Sequence, residues 1–373
     1  MRKASSAWRL APTRSSQAAA VGITRCAVVL GISASLLIGR PAGLVPPVRS
    51  QGTARCLHGR AASPLEDVAG TGAGAPRVSA PPGFKPPEPQ PLTVTRPGDL
   101  PSLLTGSLAL LLRLASGVFV LGWTPRFSFE KPEPSKYGLQ LGPVTLRDTS
   151  PILEGAPRPS EPLVLYEYEA SPFCRKVREV AQLLDITVEM RPCPGARVGF
   201  AKELEGRGGK MVVPYLVDPN TRSEMYESED IIDYLLATYG PPADKYDAKA
   251  LWPMRGTFPL VTGSYAAVAR GFAGASRQPD ARPDNERMQP LELWGYEASP
   301  FVRPVREKLC ALCLPHRIVP CSRGSRNRDA LIAKTGSRFQ VPYLVDPNTG
   351  IDLFESPEIL EYLDAVYTVP AAG

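Results

Sequence analysis

Two periodicities of apolar residues follow each other along residues 161–242. Residues 163–167 form an apolar run of strand length. Behind them, apolar residues recur at intervals of three and four, as on the core-facing side of a helix: Val177, Val180, Ala181 and Leu184. Residues 187–190 predict a second strand, and the polar stretch after them predicts a short helix. The region therefore begins as strand, helix, strand, helix.

The second half of this region predicts a hairpin and a closing helix. Residues 215–218 predict a third strand, and the Asp-Pro-Asn-Thr sequence at 218–221 favours a tight turn. Residues 224–226 predict a fourth strand. The last helix has an apolar stripe: Ile231, Ile232, Leu235 and Leu236. The predicted order is βαβαββα, which is an α/β fold.

Two of the predicted helices carry N-terminal signals. Ser171 can cap the first helix, and Pro172 suits its first position, where a backbone N–H would have no partner. Ser228 can cap the last helix. Its first turn holds Glu229 and Asp230, where the helix dipole favours negative charge.

The same succession returns at a constant offset of 128 residues. Three stretches are repeated: Tyr-Glu-Ala-Ser-Pro-Phe at 168–173 and 296–301, Val-Pro-Tyr-Leu-Val-Asp-Pro-Asn-Thr at 213–221 and 341–349, and Glu-Ser at 227–228 and 355–356. A repeat of this length predicts two tandem domains. We call residues 161–242 module one and residues 289–369 module two, with a connector at 243–288.

The chain outside the two modules is rich in proline. It holds most of the 42 prolines, which is typical of extended or disordered segments. We interpret residues 66–160 as a linker with an apolar segment at 102–123. Residues 1–65 are interpreted as an organelle-targeting presequence, and we expect the presequence and linker to be mostly disordered.

The charge of residues 1–65 supports the presequence. They contain nine Lys or Arg and no Asp or Glu, as organelle transit peptides do. An apolar run at 26–39 resembles a secretory core region, so a two-part plastid presequence is favoured, with the mitochondrion or secretory pathway as alternatives. Without these residues the net charge falls from +6 to −3. No basic face then indicates a nucleic-acid partner.

Two apolar stretches outside the modules raise the question of a membrane. Residues 102–123 are long enough to span one, but Arg113 at a helix centre would cost about 2.5–3.5 kcal/mol. Residues 251–275 are interrupted by Arg255 and Arg270. We expect both stretches to be packed elements, with membrane association through 102–123 as the less favoured alternative.

The repeated motifs resemble the thioredoxin-like N-terminal domain of glutathione S-transferases. The resemblance depends on Ser-Pro-Phe after the first strand, Val-Pro before the third and Glu-Ser after the fourth. The Ala-Ser-Pro-Phe start is most similar to serine-type plant classes such as tau. The whole arrangement resembles plant and algal plastid proteins with such domains. The resemblance implies two tandem thioredoxin-like domains and glutathione as substrate or ligand.

The resemblance also implies roles for individual residues. Ser171 and Ser299 would be the catalytic hydroxyls that hold a glutathione thiolate at a helix N-terminus, although each can be only a helix cap. Pro214 and Pro342 would follow cis peptide bonds, which leaves the backbone of the preceding valine to pair with the tripeptide. The residues implied to bind glutathione are Phe173, Val213, Pro214, Glu227, Ser228, Val341, Pro342, Glu355 and Ser356.

The departures from the family pattern concern cysteine. Glutaredoxin-like relatives carry Cys-Pro-x-Cys, whereas both modules have serine first, followed by Cys174 in module one and Val302 in module two. A dithiol mechanism is therefore absent, and Cys174 is a tentative reactive thiol. Cys193 and Cys321 occupy equivalent positions. The spacing of residues 310, 313, 316 and 321 could suggest zinc, but module one lacks the first three, and we expect no metal site.

Three functions remain open at this stage. The first is a glutathione-binding, transferase-like or redox-related plastid protein without the usual helical C-terminal domain, because the connector is too short to form one. The second is a non-catalytic thioredoxin-fold scaffold for an unidentified protein partner. The third is a single-thiol oxidoreductase that uses Cys174 or Cys193.

Overall fold

A computed structural model describes residues 78–88, 99–112, 124–150, 153–242, 248–337 and 340–369. All of them belong to one compact unit, Asp67–Gly373. The predicted presequence lies outside the described residues, as does the second half of the apolar segment, residues 113–123.

The stretch before module one is more ordered than a linker. It begins with helix α1 (Asp99–Leu112). A three-stranded antiparallel sheet follows, with strands β1 (Thr124–Ser128), β2 (Leu139–Leu141) and β3 (Val144–Thr149) in the order β1-β3-β2. This sheet was not predicted. It is attached to module two, where Arg147 forms two hydrogen bonds with Asp329, of 3.1 and 2.8 Å.

Module one has the predicted βαβαββα order. Its elements are β4 (Leu163–Glu167), α2 (Pro172–Leu183), β5 (Val188–Pro192), α3 (Ala201–Gly208), β6 (Tyr215–Asp218), β7 (Ser223–Met225) and α4 (Ser228–Tyr239). β4 and β6 have the predicted bounds. The turn between β6 and β7 closes as expected, since the Asp218 carboxylate accepts a hydrogen bond of 2.8 Å from the Asn220 N–H.

The connector and module two complete the chain. The connector holds a 3₁₀ helix (Ala248–Met254) and helix α5 (Thr257–Ala269). Module two repeats the order of module one with β8 (Leu291–Gly295), α6 (Val302–Ala311), β9 (His316–Pro320), α7 (Arg326–Thr335), β10 (Tyr343–Asp346), β11 (Ile351–Phe354) and α8 (Ser356–Tyr367).

The two modules share one eight-stranded sheet. Its order is β11-β10-β8-β9-β5-β4-β6-β7. The junction is the antiparallel pair β5–β9, in which Val188 lies opposite Ile318 and Met190 opposite His316. Ile318 packs against the hydrophobic cores of both modules. The modules are therefore joined by backbone hydrogen bonds and by apolar burial.

Buried ion pairs cross the junction above the sheet. Arg178 of α2 contacts Glu297 at 3.1 Å, and Arg306 of α6 contacts Glu169 at 3.0 Å. These contacts are equivalent at the offset of 128 residues, so the modules are related by a pseudo-twofold axis. All four side chains are at least 95% buried. Their mutual pairing offsets the large cost of removing charges from water.

Helices α1 and α5 pack against each other and against the modules. Gly263 of α5 lies on Pro172, where a Cβ atom would come within 3.1 Å of the proline Cβ. Gly106 of α1 lies on Pro300 of module two with the same spacing. Among the described residues, no helix has both the length and the apolar character needed to cross a membrane.

Candidate functional site

The strand register brings the three motifs of module one to one edge of the sheet. Tyr166 lies opposite Tyr215, and Leu216 lies opposite Met225. The segments that follow Tyr166, precede Tyr215 and follow Met225 therefore leave the sheet at the same end. Those segments carry Ser171, Val213 and Glu227. Module two has the equivalent register, with Tyr343 opposite both Trp294 and Phe354.

Ser171 is the N-cap of α2, whereas Ser299 lies in the turn just before α6, which begins at Val302. The Ser171 Oγ accepts a hydrogen bond of 3.3 Å from the Cys174 N–H, and the Ser299 Oγ accepts one of 3.2 Å from the Val302 N–H. The predicted cap is therefore present at Ser171, whereas the capping position of α6 is taken by Phe301 without a side-chain cap. Both serines are nearly inaccessible, with 2% and 1% of their surface exposed. The neighbouring prolines, Pro172 and Pro300, are the residues on which α5 and α1 lie, so the surface beside both serines is covered.

The two candidate thiols of module one are buried. Burial raises the pKa of Cys174 to about 12, and the nearby Glu167 carboxylate acts in the same direction. Burial also raises the pKa of Cys193, again assisted by neighbouring acidic groups. The thiolate is the reactive form of cysteine. The structure therefore disfavours both residues as nucleophiles at neutral pH.

The loops before β6 and β10 have the predicted geometry. The Val213–Pro214 and Val341–Pro342 peptide bonds are both cis. Both valines are half-buried and both prolines are buried. Within the described residues, no hydrogen bond to the backbone of Val213 is found, so its N–H and C=O are available to an extended peptide.

The start of the last helix differs from its prediction. Ser228 was expected to cap α4 but is the first residue inside the helix, and Glu227 takes the capping position without a side-chain cap. Glu227 has a φ of 63°, and Glu355 before α8 has a φ of 71°. A residue other than glycine in this left-handed region costs on the order of 1–3 kcal/mol. The same left-handed conformation therefore recurs at the equivalent glutamate of both modules.

The first turn of α2 carries an aromatic side chain near the edge of the sheet where the three motifs of module one meet. Phe173 is 47% exposed, whereas the equivalent Phe301 is half-buried. Sequence reasoning missed a neighbouring residue, Lys176, which is buried and contacts Glu229 of α4 at 2.6 Å. The helical periodicity of this segment gives no sign that the lysine faces inward.

The repeated Asp-Pro-Asn-Thr turn has a structural role and lies outside the site. The buried Asp218 carboxylate accepts hydrogen bonds of 2.6 Å from the hydroxyls of Tyr234 and Tyr239. Asp346 is held in the same way by Tyr362 and Tyr367, at 2.7 and 2.6 Å. These bonds attach the last helix of each module to its sheet.

The described part of the chain offers no cluster of three or more His, Cys, Asp or Glu side chains suited to a metal ion. Its five cysteines are free and buried. His316 is buried as well, and burial lowers its pKa to about 4. These side chains lie in the packed interior of the modules.

Comparisons with known proteins agree with the repeat. The family model of the glutathione S-transferase N-terminal domain matches residues 165–243 and 293–370. No match was found among curated proteins. Two solved structures of the Bombyx mori glutathione transferase BmGSTD1, one of them in complex with GTT, are similar to part of the chain, with 22% and 23% identity and TM-scores of 0.21 and 0.20. Each alignment covers 25% of this chain and 42% of the transferase chain, less than half of its length.

Proposed function

We propose that this chain, which carries two glutathione S-transferase N-terminal domains in tandem, is a glutathione-binding protein. The observation that carries the proposal is the strand register, which brings the backbone of Val213, unpaired within the described residues, and the exposed Glu227 carboxylate to the same edge of the sheet. Together they offer a backbone donor, a backbone acceptor and a carboxylate, which supports the proposal that one extended peptide binds along a groove at this edge.

Each part of the groove matches one part of the tripeptide. The Val213 backbone can pair with the backbone of the cysteinyl residue, as strands do in peptide recognition. The Glu227 carboxylate can accept from the ammonium of the γ-glutamyl residue. The free N–H groups at the start of α4 can hold the γ-glutamyl carboxylate, which the helix dipole also favours.

The thiol of glutathione would lie towards Ser171. Because that serine is 2% exposed and α5 lies on Pro172 beside it, a bulky electrophile has no open path to the sulfur. We infer that glutathione binding is the function, and that conjugation by this chain is slow unless α5 moves away. The connector supplies a single described α-helix, α5, whereas the family resemblance implies a complete helical domain for the co-substrate.

Calorimetric titration of the full chain with reduced glutathione tests the proposal. We expect binding in the micromolar to low millimolar range, lost in Glu227→Ala. Asp230→Asn is the matched control, because it removes an exposed negative charge from the first turn of the same helix without touching the groove. Binding that survives Glu227→Ala, or that is lost equally in both variants, would contradict the assignment.

A second candidate is a non-catalytic scaffold for a protein partner. The buried Ser171 and Ser299 and the continuous sheet favour it, since thioredoxin-like domains also serve as interaction modules. The absence of heat and of a thermal shift at about 10 mM glutathione would select the scaffold, because even millimolar affinity gives a measurable effect there.

The location of the protein is a separate proposal. We propose plastid import directed by residues 1–65, on the basis of their Arg-rich, acid-free composition. A fluorescent protein fused behind these residues should enter plastids in plant or algal cells, and mitochondrial or secreted fluorescence would overturn this proposal.

A further inference from the structure

We propose that module one holds the ligand site of this chain and that module two is its structural half, with a groove closed by its own Gln340. This inference rests on the proposed glutathione-binding function and specifies which copy performs it. It predicts one bound glutathione for two modules.

The side chain of Gln340 occupies the acidic end of the groove in module two. Its Nε2 donates a hydrogen bond of 3.3 Å to the Glu355 carboxylate. Its Oε1 accepts one of 2.6 Å from the Ser337 hydroxyl. Gln340 therefore fills, from within the chain, the position from which a ligand ammonium would donate to Glu355.

Module one has no equivalent of this closure. The residues that correspond to Gln340 and Ser337 are Val212 and Gly209, and neither has a side-chain hydrogen-bonding group. Val212 is 49% exposed. The Glu227 carboxylate is exposed, and within the described residues no side chain donates a hydrogen bond to it. The acidic end of this groove is open to a ligand.

A second difference concerns the helix terminus that would receive the ligand carboxylate. The second residue of α4 is Glu229, whose backbone N–H is one of the free donors at the start of that helix. The second residue of α8 is Pro357, which has no N–H. Module two therefore offers one donor fewer to an anion at this point.

Residue 229 and its equivalent, residue 357, also differ in how firmly they hold the start of the last helix. In module one the Glu229 carboxylate accepts a hydrogen bond of 2.6 Å from the buried Lys176 and one of 2.9 Å from the Gly256 N–H. These bonds fix the start of α4 against α2 and the connector. Module two has Pro304 and Pro357 at the equivalent positions, so this brace is absent.

The stoichiometry of glutathione binding to the full chain tests the inference. We expect calorimetry to give one site per chain, abolished by Glu227→Gln. The variant Val212→Gln moves the closing residue into module one. It should weaken binding about ten-fold or more, because the ligand loses one hydrogen bond to a charged group. Val212→Ile is the matched control and should bind like the unaltered chain, because it adds a methylene group without a donor.

The reverse exchange opens module two. The double variant Gln340→Val, Pro357→Glu restores the residues of module one and should add a second site. Two sites in the unaltered chain would overturn the inference while leaving the proposed function intact. A single site that survives Glu227→Gln and is lost in Glu355→Gln would also overturn it. Absence of binding in every variant would remove the proposed function, and this inference with it.

Discussion

Removal of the Arg178 side chain, in Arg178→Met, tests whether the two modules form one folding unit. This guanidinium lies at the junction and is 3% exposed. It contacts the carboxylates of Glu169 and Glu297 at 3.1 Å each, and it donates to Glu167. Methionine keeps most of the apolar stem but leaves these three acidic groups without their shared cation.

The expected loss follows from the fate of each carboxylate. Removal of one partner of a buried ion pair costs about 3–5 kcal/mol. Glu169 and Glu297 keep Arg306, at 3.0 and 3.3 Å. Burial raises the pKa of Glu167 to about 7 even beside Arg178, so in the variant this group takes up a proton instead of staying charged. We therefore expect the lower end of the range, about 3 kcal/mol, at pH 7.

The loss should grow as the pH rises above 7. An acid whose folded-state pKa lies above its unfolded value destabilises the fold increasingly until the pH passes the folded pKa. In the unaltered chain this penalty from Glu167 is complete near pH 7, whereas in Arg178→Met it continues, at up to about 1.4 kcal/mol per pH unit.

Urea unfolding of the full chain, followed by circular dichroism and tryptophan fluorescence, measures the effect. Coincident transitions would indicate that both modules unfold together. Arg207→Met is the matched control, because Arg207 pairs with Glu224 at 2.7 Å while 29% and 27% of the two side chains are exposed. We expect the control to lose less than about 1 kcal/mol. Equal losses in the two variants would refute the account of the junction.

Three further predictions concern buried polar groups. Because burial lowers the pKa of His316 to about 4, its unfolded form binds a proton that the folded form excludes, and the contribution of His316 to the free energy of unfolding should fall by about 2 kcal/mol from pH 7 to pH 5. The raised pKa of Glu167 acts in the opposite direction over this interval, so His316→Val, which copies Val188 of module one, is compared with the unaltered chain in urea titrations. The variant should gain about 2 kcal/mol relative to the unaltered chain from pH 7 to pH 5, and a constant difference would be inconsistent with this origin. Cys174, with a pKa near 12, should react with iodoacetamide far more slowly at pH 7.5 in the folded than in the urea-unfolded protein by peptide mass spectrometry; fast labelling when folded would revive the single-thiol hypothesis. Ser171→Ala should lower the unfolding free energy by about 1 kcal/mol through loss of the cap, and a chain as stable as the original would argue against capping.

The parts of the fold that sequence alone predicts are those with local causes. The Ser171 hydroxyl can cap a helix, and the fixed φ of Pro172 suits its first position. This pair therefore predicts a helix start, which the structure has. The turn at 218–221 closes by a hydrogen bond within three residues. The second strand was placed at 187–190 and is observed at Val188–Pro192, a difference at its ends only.

The junction between the modules could not be predicted in this way. The strand that contains Val188 has the same alternation whether or not it has a partner on its outer side, and its partner lies 128 residues away. Arg178 and Arg306 have the pattern of charged residues on a helix surface. Their burial depends on carboxylates of the other module, which no local pattern reveals.

The candidate site was only partly accessible from the sequence. The resemblance led to the cis peptide bonds and to the glutamates before the last helices, and these are present. It placed Ser228 at the cap, whereas the left-handed conformation of Glu227 moves the helix start by one residue. The sequence shows glutamine at 340 and valine at 212, but only side-chain positions reveal that the glutamine turns onto Glu355.

The most direct test of the account is a crystal structure of the full chain grown with saturating reduced glutathione. We predict electron density for one tripeptide in module one, with its cysteinyl backbone on Val213 and its γ-glutamyl group between Glu227 and the start of α4. We predict that Gln340 stays hydrogen-bonded to Glu355 in the same crystal. Glutathione in module two, or no glutathione in either groove, would contradict the account.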